Sequence, residues 1–186
     1  MPDPRLDRLK SLLKERAVRF GAPGEFLLAS GKRSDVYVDG RLFTLSAAGA
    51  ALVAELLWER IAPMKPDAVG GMTLGADPIV GALLDHAGRK GIDLAGFLVR
   101  KEPKGHGTKK TVEGPRPERD RPRVVVVEDT ATTGGSSLKA VHRVREEWGA
   151  EVVAAFVIVD REEGAAEAYA AEGVPFGALL TLAELR

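Results

Sequence analysis

The run VVVVEDTATTGGSS (residues 124–137) brings together residue types that could do chemistry. Four consecutive valines read as a strand buried on both faces, after which the sequence turns abruptly polar. Ligands of open parallel sheets bind beyond the carboxyl ends of strands, so Glu128 and Asp129 are expected to emerge at a site. Thr130, Ala131, Thr132, Thr133, Gly134, Gly135 and Ser136 then supply hydroxyls and two glycines directly ahead of a helix. There, backbone N–H groups can approach a phosphate whose charge the helix start favours. The segment has neither the lysine of a GxxxxGK[ST] loop nor the spacing of GxGxxG, which excludes both of those nucleotide motifs. Carboxylates accept hydrogen bonds from sugar hydroxyls, so two acids beside a phosphate cradle suit a ribose 5-phosphate. Taken alone, the same residues also fit an ordinary Gly-Gly turn with Glu-Asp as a helix-start signal.

A second feature is charge. Residues 100–123 hold nine Lys or Arg against four acids, a surplus of +5, which leaves 18 basic and 23 acidic residues elsewhere. An otherwise acidic chain thus concentrates positive charge in one Gly- and Pro-containing stretch. A small polyanionic ligand would account for it, and so would a solvated basic loop. The 27 basic and 27 acidic residues cancel overall, which argues against a general binder of nucleic acid or of membrane surfaces. With no cysteine, a disulfide framework, a thiolate zinc site and a cysteine nucleophile are all excluded. The start MPDPRLDRLK has no apolar signal core, and no stretch approaches the ~18 apolar residues of a membrane span, so a cytoplasmic protein is expected.

The elements that must position these residues follow from periodicity. Asp3 can cap a helix with Pro4 in its first turn and Leu6, Leu9, Leu12, Leu13 and Ala17 at helical spacing. Next, FLLASGKRSDVYVDG (26–40) predicts two short strands, 26–28 and 36–38, flanking a Ser-Gly-Lys-Arg turn, as a small cap. Helices are predicted at 47–61, 78–89, 136–148 and 165–171, alternating with strands at 68–71, 94–99, 124–127, 152–159 and 178–180. This alternation predicts an α/β fold: a mostly parallel sheet with helices on both faces, in one domain of 186 residues, with 1–40 as helix and cap. Between 101 and 121 no apolar periodicity survives, and so long a connection in a compact domain is expected to be functional or disordered.

The 124–137 segment resembles the signature of type I phosphoribosyltransferases: a hydrophobic strand, two acids, then a Thr- and Gly-rich loop. Many members carry two aspartates where this chain has Glu128 and Asp129. The stretch LVRKEPKGHGTKKTVEG (98–114) resembles the mobile loop of the orotate phosphoribosyltransferases, with Arg100, Lys101, Lys104 and His106 in matching places. FLLASGKRSDVYVDG resembles that family's cap segment near the base, and VIVDREEG (157–164) its base-recognition segment with Arg161.

The resemblance implies transfer of a phosphoribosyl group from 5-phosphoribosyl 1-diphosphate to orotate, as a step of UMP biosynthesis. Within it, Lys104, His106 and Asp129 are the implied catalytic residues. Arg100, Lys101, Lys104, His106 and the run from Glu128 to Ser136 would hold the phosphoribosyl diphosphate, and Thr132 and Arg161 the orotate. Magnesium is the implied cofactor, held by substrate oxygens and water without a direct protein ligand. A homodimer whose loop residues reach the neighbouring site is implied too. Some members have lysines where this chain has Ala29 and Gly75, so diphosphate contacts from those positions are not expected here. His86 and His142 read as surface histidines. A phosphoribosyltransferase for another base, or a regulator that binds phosphoribosyl diphosphate without turning it over, are the alternatives.

Overall fold

The computed structural model describes residues 3–27, 31–102 and 110–186 of the chain. Helix α1 (Pro4–Arg16) starts where expected: the Asp3 carboxylate accepts the Arg5 N–H at 2.9 Å, and Pro4 sits in the first turn. The apolar stripe of α1 buries Leu9 and Leu13 completely. Strands β1 (Val18–Phe20), β2 (Phe26–Leu27), β3 (Arg33–Ser34) and β4 (Val36–Val38) form the cap. Their pairing differs from the predicted hairpin. β2 pairs with β3, whereas β4 turns away to pair antiparallel with β1. The cause is local: Ser34 Oγ accepts the Val36 N–H at 3.0 Å, which bends the chain at Asp35 and separates the two short strands.

After α2 (Arg41–Thr44) comes α3 (Ala47–Ile61), capped by the Ser46 hydroxyl, which accepts the Gly49 N–H at 3.1 Å. A 3₁₀ turn (Ala62–Met64) leads to β5 (Ala68–Met72), α4 (Asp77–Arg89) and β6 (Ala95–Val99). β7 (Val112–Glu113), β8 (Arg123–Ala131), α5 (Gly135–Trp148), β9 (Glu151–Asp160), α6 (Ala165–Ala171), β10 (Phe176–Thr181) and α7 (Leu182–Leu185) complete the chain. The central sheet has the order β10-β9-β8-β5-β6-β7; every pair is parallel except the edge strand β7, which is antiparallel to β6.

The four valines of β8 are fully buried, and they divide between two cores. Val125 and Val127 pack with α1, α3 and α4 residues such as Leu13, Leu57 and Leu83. Val124 and Val126 pack with Val141 and Val144 of α5 and Tyr169 of α6. Alternate side chains of a strand point to opposite faces, so helices on both faces explain why no polar residue interrupts the run. Two predictions of extent change. β8 continues through Ala131, because Glu128, Thr130 and Ala131 still pair with β9, so the two acids lie inside the strand. The stretch predicted to be structureless contains β7, held at the edge of the sheet by Val112, which is only 6% exposed.

Leu13→Ala should lower the unfolding free energy by about 3 kcal/mol, because this α1 side chain fills the same core as the sheet. Urea denaturation followed by circular dichroism would show it as a lower midpoint.

Candidate active site

Strand alternation dictates how the two carboxylates are placed. Glu128 shares the face of Val124 and Val126 and lies beneath the first turn of α5, where Ser136 Oγ donates to Glu128 Oε2 at 3.2 Å. Asp129 faces the cap instead. Its carboxylate accepts the Thr130 N–H at 2.8 Å, and its side chain lies so near Gly40 that a Cβ there would stand 2.6 Å from Asp129 Cβ. A Cβ at Gly75, in the turn after β5, would stand 2.9 Å from an oxygen of each carboxylate. Two glycines therefore let the backbone close in on the acids.

Glu128 is only 6% exposed. Burial, and then the neighbouring Asp129 charge, push its carboxyl up to about 8, although the Ser136 and Ser137 hydroxyls and Lys101 oppose this. Burial raises Asp129 as well, against the Thr130 N–H. A buried pair that resists ionisation is suited to a cationic or hydroxyl-bearing ligand that satisfies both oxygens.

Beside the acids, Gly134 takes φ +75° and begins α5 with no side-chain cap. The first N–H groups of a helix have no intrahelical partner, so this start is open to an anion. Acids and helix start meet in a cavity of about 330 Å³, lined by Tyr37, Val38, Asp39 and Arg41 of the cap, Thr73 to Gly75, Lys101, Glu128, Asp129, Thr130 and Ser136. Arg41 is held by Asp39 at 2.9 Å. The Thr130 hydroxyl is buried and finds no partner among the described residues. Beside this cavity, Arg100 and Lys101 line another of about 570 Å³ together with Thr73 and Leu74.

A family profile described as "Phosphoribosyl transferase domain" matches residues 44–174. An orotate phosphoribosyltransferase of Corynebacterium glutamicum is 48% identical over 177 residues, covering 95% of this chain and 91% of that protein. The Mycobacterium tuberculosis H37Rv orotate phosphoribosyltransferase, solved with Fe(III) dicitrate, superposes with a TM-score of 0.81 at 42% identity, covering 98% and 99% of the two chains. The same enzyme solved with 5-phospho-alpha-D-ribosyl 1-diphosphate gives 0.77 at 38% identity and the same coverage. The chain belongs to the orotate phosphoribosyltransferase family.

In this member of the family, Lys101, Glu128, Asp129, Thr130 and Ser136 share one cavity, and Arg100 lines the adjoining one. Thr132 and Thr133 are half-buried in the turn before α5, Gly134 is buried within it, and Gly135 begins the helix. Ala131 is 2% exposed, and its carbonyl accepts the Arg161 N–H at 2.9 Å, which ties the cradle to the end of β9. The Arg161 side chain is only 3% exposed. Its Nε donates to Glu163 at 3.0 Å and its Nη2 to the Ser34 hydroxyl of the cap at 2.9 Å.

Lys104, His106 and Ala29 lie outside the described residues. Gly75, by contrast, is placed, and the crowding against both carboxylates accounts for the absence of a side chain there. Asp39, Arg41 and Thr73 were not singled out by sequence reasoning. The only available signal was the polar DGR turn after β4, which looks like an ordinary loop until the fold brings it against Asp129. Of the histidines, His142 is exposed and 3.1 Å from Glu172, as a surface residue would be. His86 is half-buried: its ring packs on Trp58 with centroids 6.1 Å apart, and burial lowers its pKa.

An acid whose pKa is raised by folding holds its proton in the folded state after the unfolded chain has lost it. Between pH about 4.5 and about 8 the folded chain therefore binds the extra proton, and stability falls as pH rises through that window. Urea midpoints measured across it should fall more steeply for the wild type than for Glu128→Gln; parallel profiles would show that Glu128 titrates normally.

Proposed function

We propose that this chain transfers the 5-phosphoribosyl group from 5-phosphoribosyl 1-diphosphate to orotate, giving orotidine 5'-monophosphate and diphosphate. The observation that carries the reading is the meeting, in one cavity, of two buried carboxylates and the uncapped start of α5. The 5-phosphate suits the helix start, and the ribose hydroxyls can donate to Glu128 and Asp129. A ring nitrogen of orotate attacks the anomeric carbon while the carbon–oxygen bond to diphosphate breaks; the diphosphate leaves with the electron pair, and the proton of the ring nitrogen passes to it. Arg100, Lys101, Lys104 and His106 stabilise the departing polyanion, and the two acids favour the transiently cationic sugar. Thr132 and Arg161 are assigned to orotate.

Magnesium fits this donor set. The described residues hold no group of three or more acidic or histidine side chains around one point. Oxygens of the substrate and water would then be its chief ligands, with the buried acids close by, and the ion would neutralise diphosphate charge.

A homodimer belongs to the same reading. Leu42, Leu45 and Leu74 are 51%, 75% and 61% exposed around an apolar groove of about 700 Å³ that also touches Arg41. An exposed apolar surface beside the site suits a second copy of the chain. Lys104→Ala and Asp129→Asn proteins, each of strongly lowered activity, should regain part of the lost activity once mixed and exchanged. Subunit exchange without recovery would remove the trans role.

Orotate consumption in the presence of phosphoribosyl diphosphate and magnesium tests the activity directly. Asp129→Asn should lower kcat by about 10²-fold and change KM less, because charge stabilisation grows in the transition state. Arg161→Ala should weaken orotate by about 2 to 5 kcal/mol, the usual effect of breaking a buried charge pair, while phosphoribosyl diphosphate binding stays nearly intact. Equal weakening of both ligands would count against Arg161 as the carboxylate reader.

A further inference from the structure

The last turn of α5 carries an acid that none of the preceding chemistry uses. Glu147 Oε1 accepts both the backbone N–H of Thr111, at 2.8 Å, and the Thr111 hydroxyl, at 2.5 Å, and Oε2 accepts the Val112 N–H at 3.2 Å. One carboxylate thus takes three donors, two from Thr111 and one from Val112 at the start of β7. Burial raises the Glu147 carboxyl, but these donors more than offset it and hold the pKa below the usual range. One residue further along, the Trp148 carbonyl accepts two donors from Arg116, at 3.0 and 3.3 Å. The end of α5 therefore grips the returning chain at two successive points.

That grip is needed because β7 has only two residues and a single sheet neighbour, too little to hold itself. Thr111 is 3% exposed, so without Glu147 its amide and hydroxyl would be buried unsatisfied. The link to the site is short. The Thr111 carbonyl accepts the Arg100 N–H at 2.9 Å; Arg100 lines the larger cavity, and the next residue, Lys101, lines both that cavity and the one that holds the acids.

We propose that Glu147 is a positioning residue for the Arg100–Lys101 wall, acting through Thr111, and so sets the affinity of the site for the diphosphate moiety. The inference rests on the reading of this site as one for phosphoribosyl diphosphate. Glu147 touches no substrate; it fixes the backbone from which the two cations project.

The test is titration of inorganic diphosphate with magnesium into wild type, Glu147→Ala, Glu147→Gln and Thr111→Val, alongside KM for both substrates and melting temperatures. Glu147→Ala should weaken diphosphate and raise KM for phosphoribosyl diphosphate about tenfold, the effect of losing one or two net hydrogen bonds, with KM for orotate within about twofold. Glu147→Gln should recover part of the loss, because its amide oxygen still accepts from Thr111. Thr111→Val, which keeps the carboxylate and the backbone donors, should give a smaller loss in the same direction.

The proposal is overturned if diphosphate affinity is unchanged in all three variants. It is equally overturned if both substrates weaken alike in proportion to the fall in melting temperature, the mark of a purely structural role. A wild type that binds diphosphate but does not consume orotate would refute the proposed activity and leave the Glu147 comparison valid. A wild type that binds no diphosphate would refute the wall itself.

Discussion

The structure depends on holding two adjacent carboxylates almost out of water at the end of a central strand. Neither Glu128 nor Asp129 forms an ion pair among the described residues; hydroxyls of Ser136 and Ser137 face Glu128, and the Thr130 N–H donates to Asp129. Burying such groups is unfavourable unless something satisfies them. The surrounding architecture follows from that demand. β8 has neighbours on both sides, α5 starts over one acid, the cap closes over the other, and Gly40 and Gly75 leave the space. A site that is incomplete in this way gains most from a ligand that brings hydroxyl donors, and the proposed substrate would bring them together with a phosphate that suits the helix start.

The alternation of β8 separates the work of the two acids. Glu128 answers to α5 and through it to the Thr-Gly-Gly turn proposed to cradle the phosphate, whereas Asp129 answers to Asp39, Gly40 and Arg41. A displacement of the cap is therefore felt first by Asp129. Arg161 reinforces the coupling from the other side, because its side chain joins Ser34 of the cap to Glu163 and its N–H bonds the Ala131 carbonyl.

Much of this was legible in the sequence. The four valines announced a doubly covered strand, and the helices at 47–61, 136–148 and 165–171 follow from their apolar spacing to within a residue. The acids and the Thr-Gly-Gly turn stand out as a candidate site by residue type and order, although the same residues taken alone also fit an ordinary turn, and it is the resemblance that favours the first reading. What remained hidden depended on partners distant in sequence. The pairing of β4 with β1 could not be read because Val18–Phe20 is too short to show alternation. β8 was drawn too short because polar residues inside a strand look like its end. Asp39 and Arg41 gain their meaning only from proximity to Asp129, and Glu147 only from its contact with Thr111 and Val112, 36 and 35 residues away.

Helix α5 begins at the proposed phosphate cradle and ends at the grip on Thr111 and β7. At 1.5 Å per residue its 14 residues measure about 21 Å, so a stiff rod of set length separates the two ends. Its register is constrained as tightly as its length. Each residue turns the helix by about 100°, so one residue gained or lost within it would swing Glu147 away from Thr111 while leaving the cradle untouched. Among homologues, length variation should therefore accumulate in the segments flanking this rod and be purged from the rod itself, even where its solvent-facing side chains drift freely.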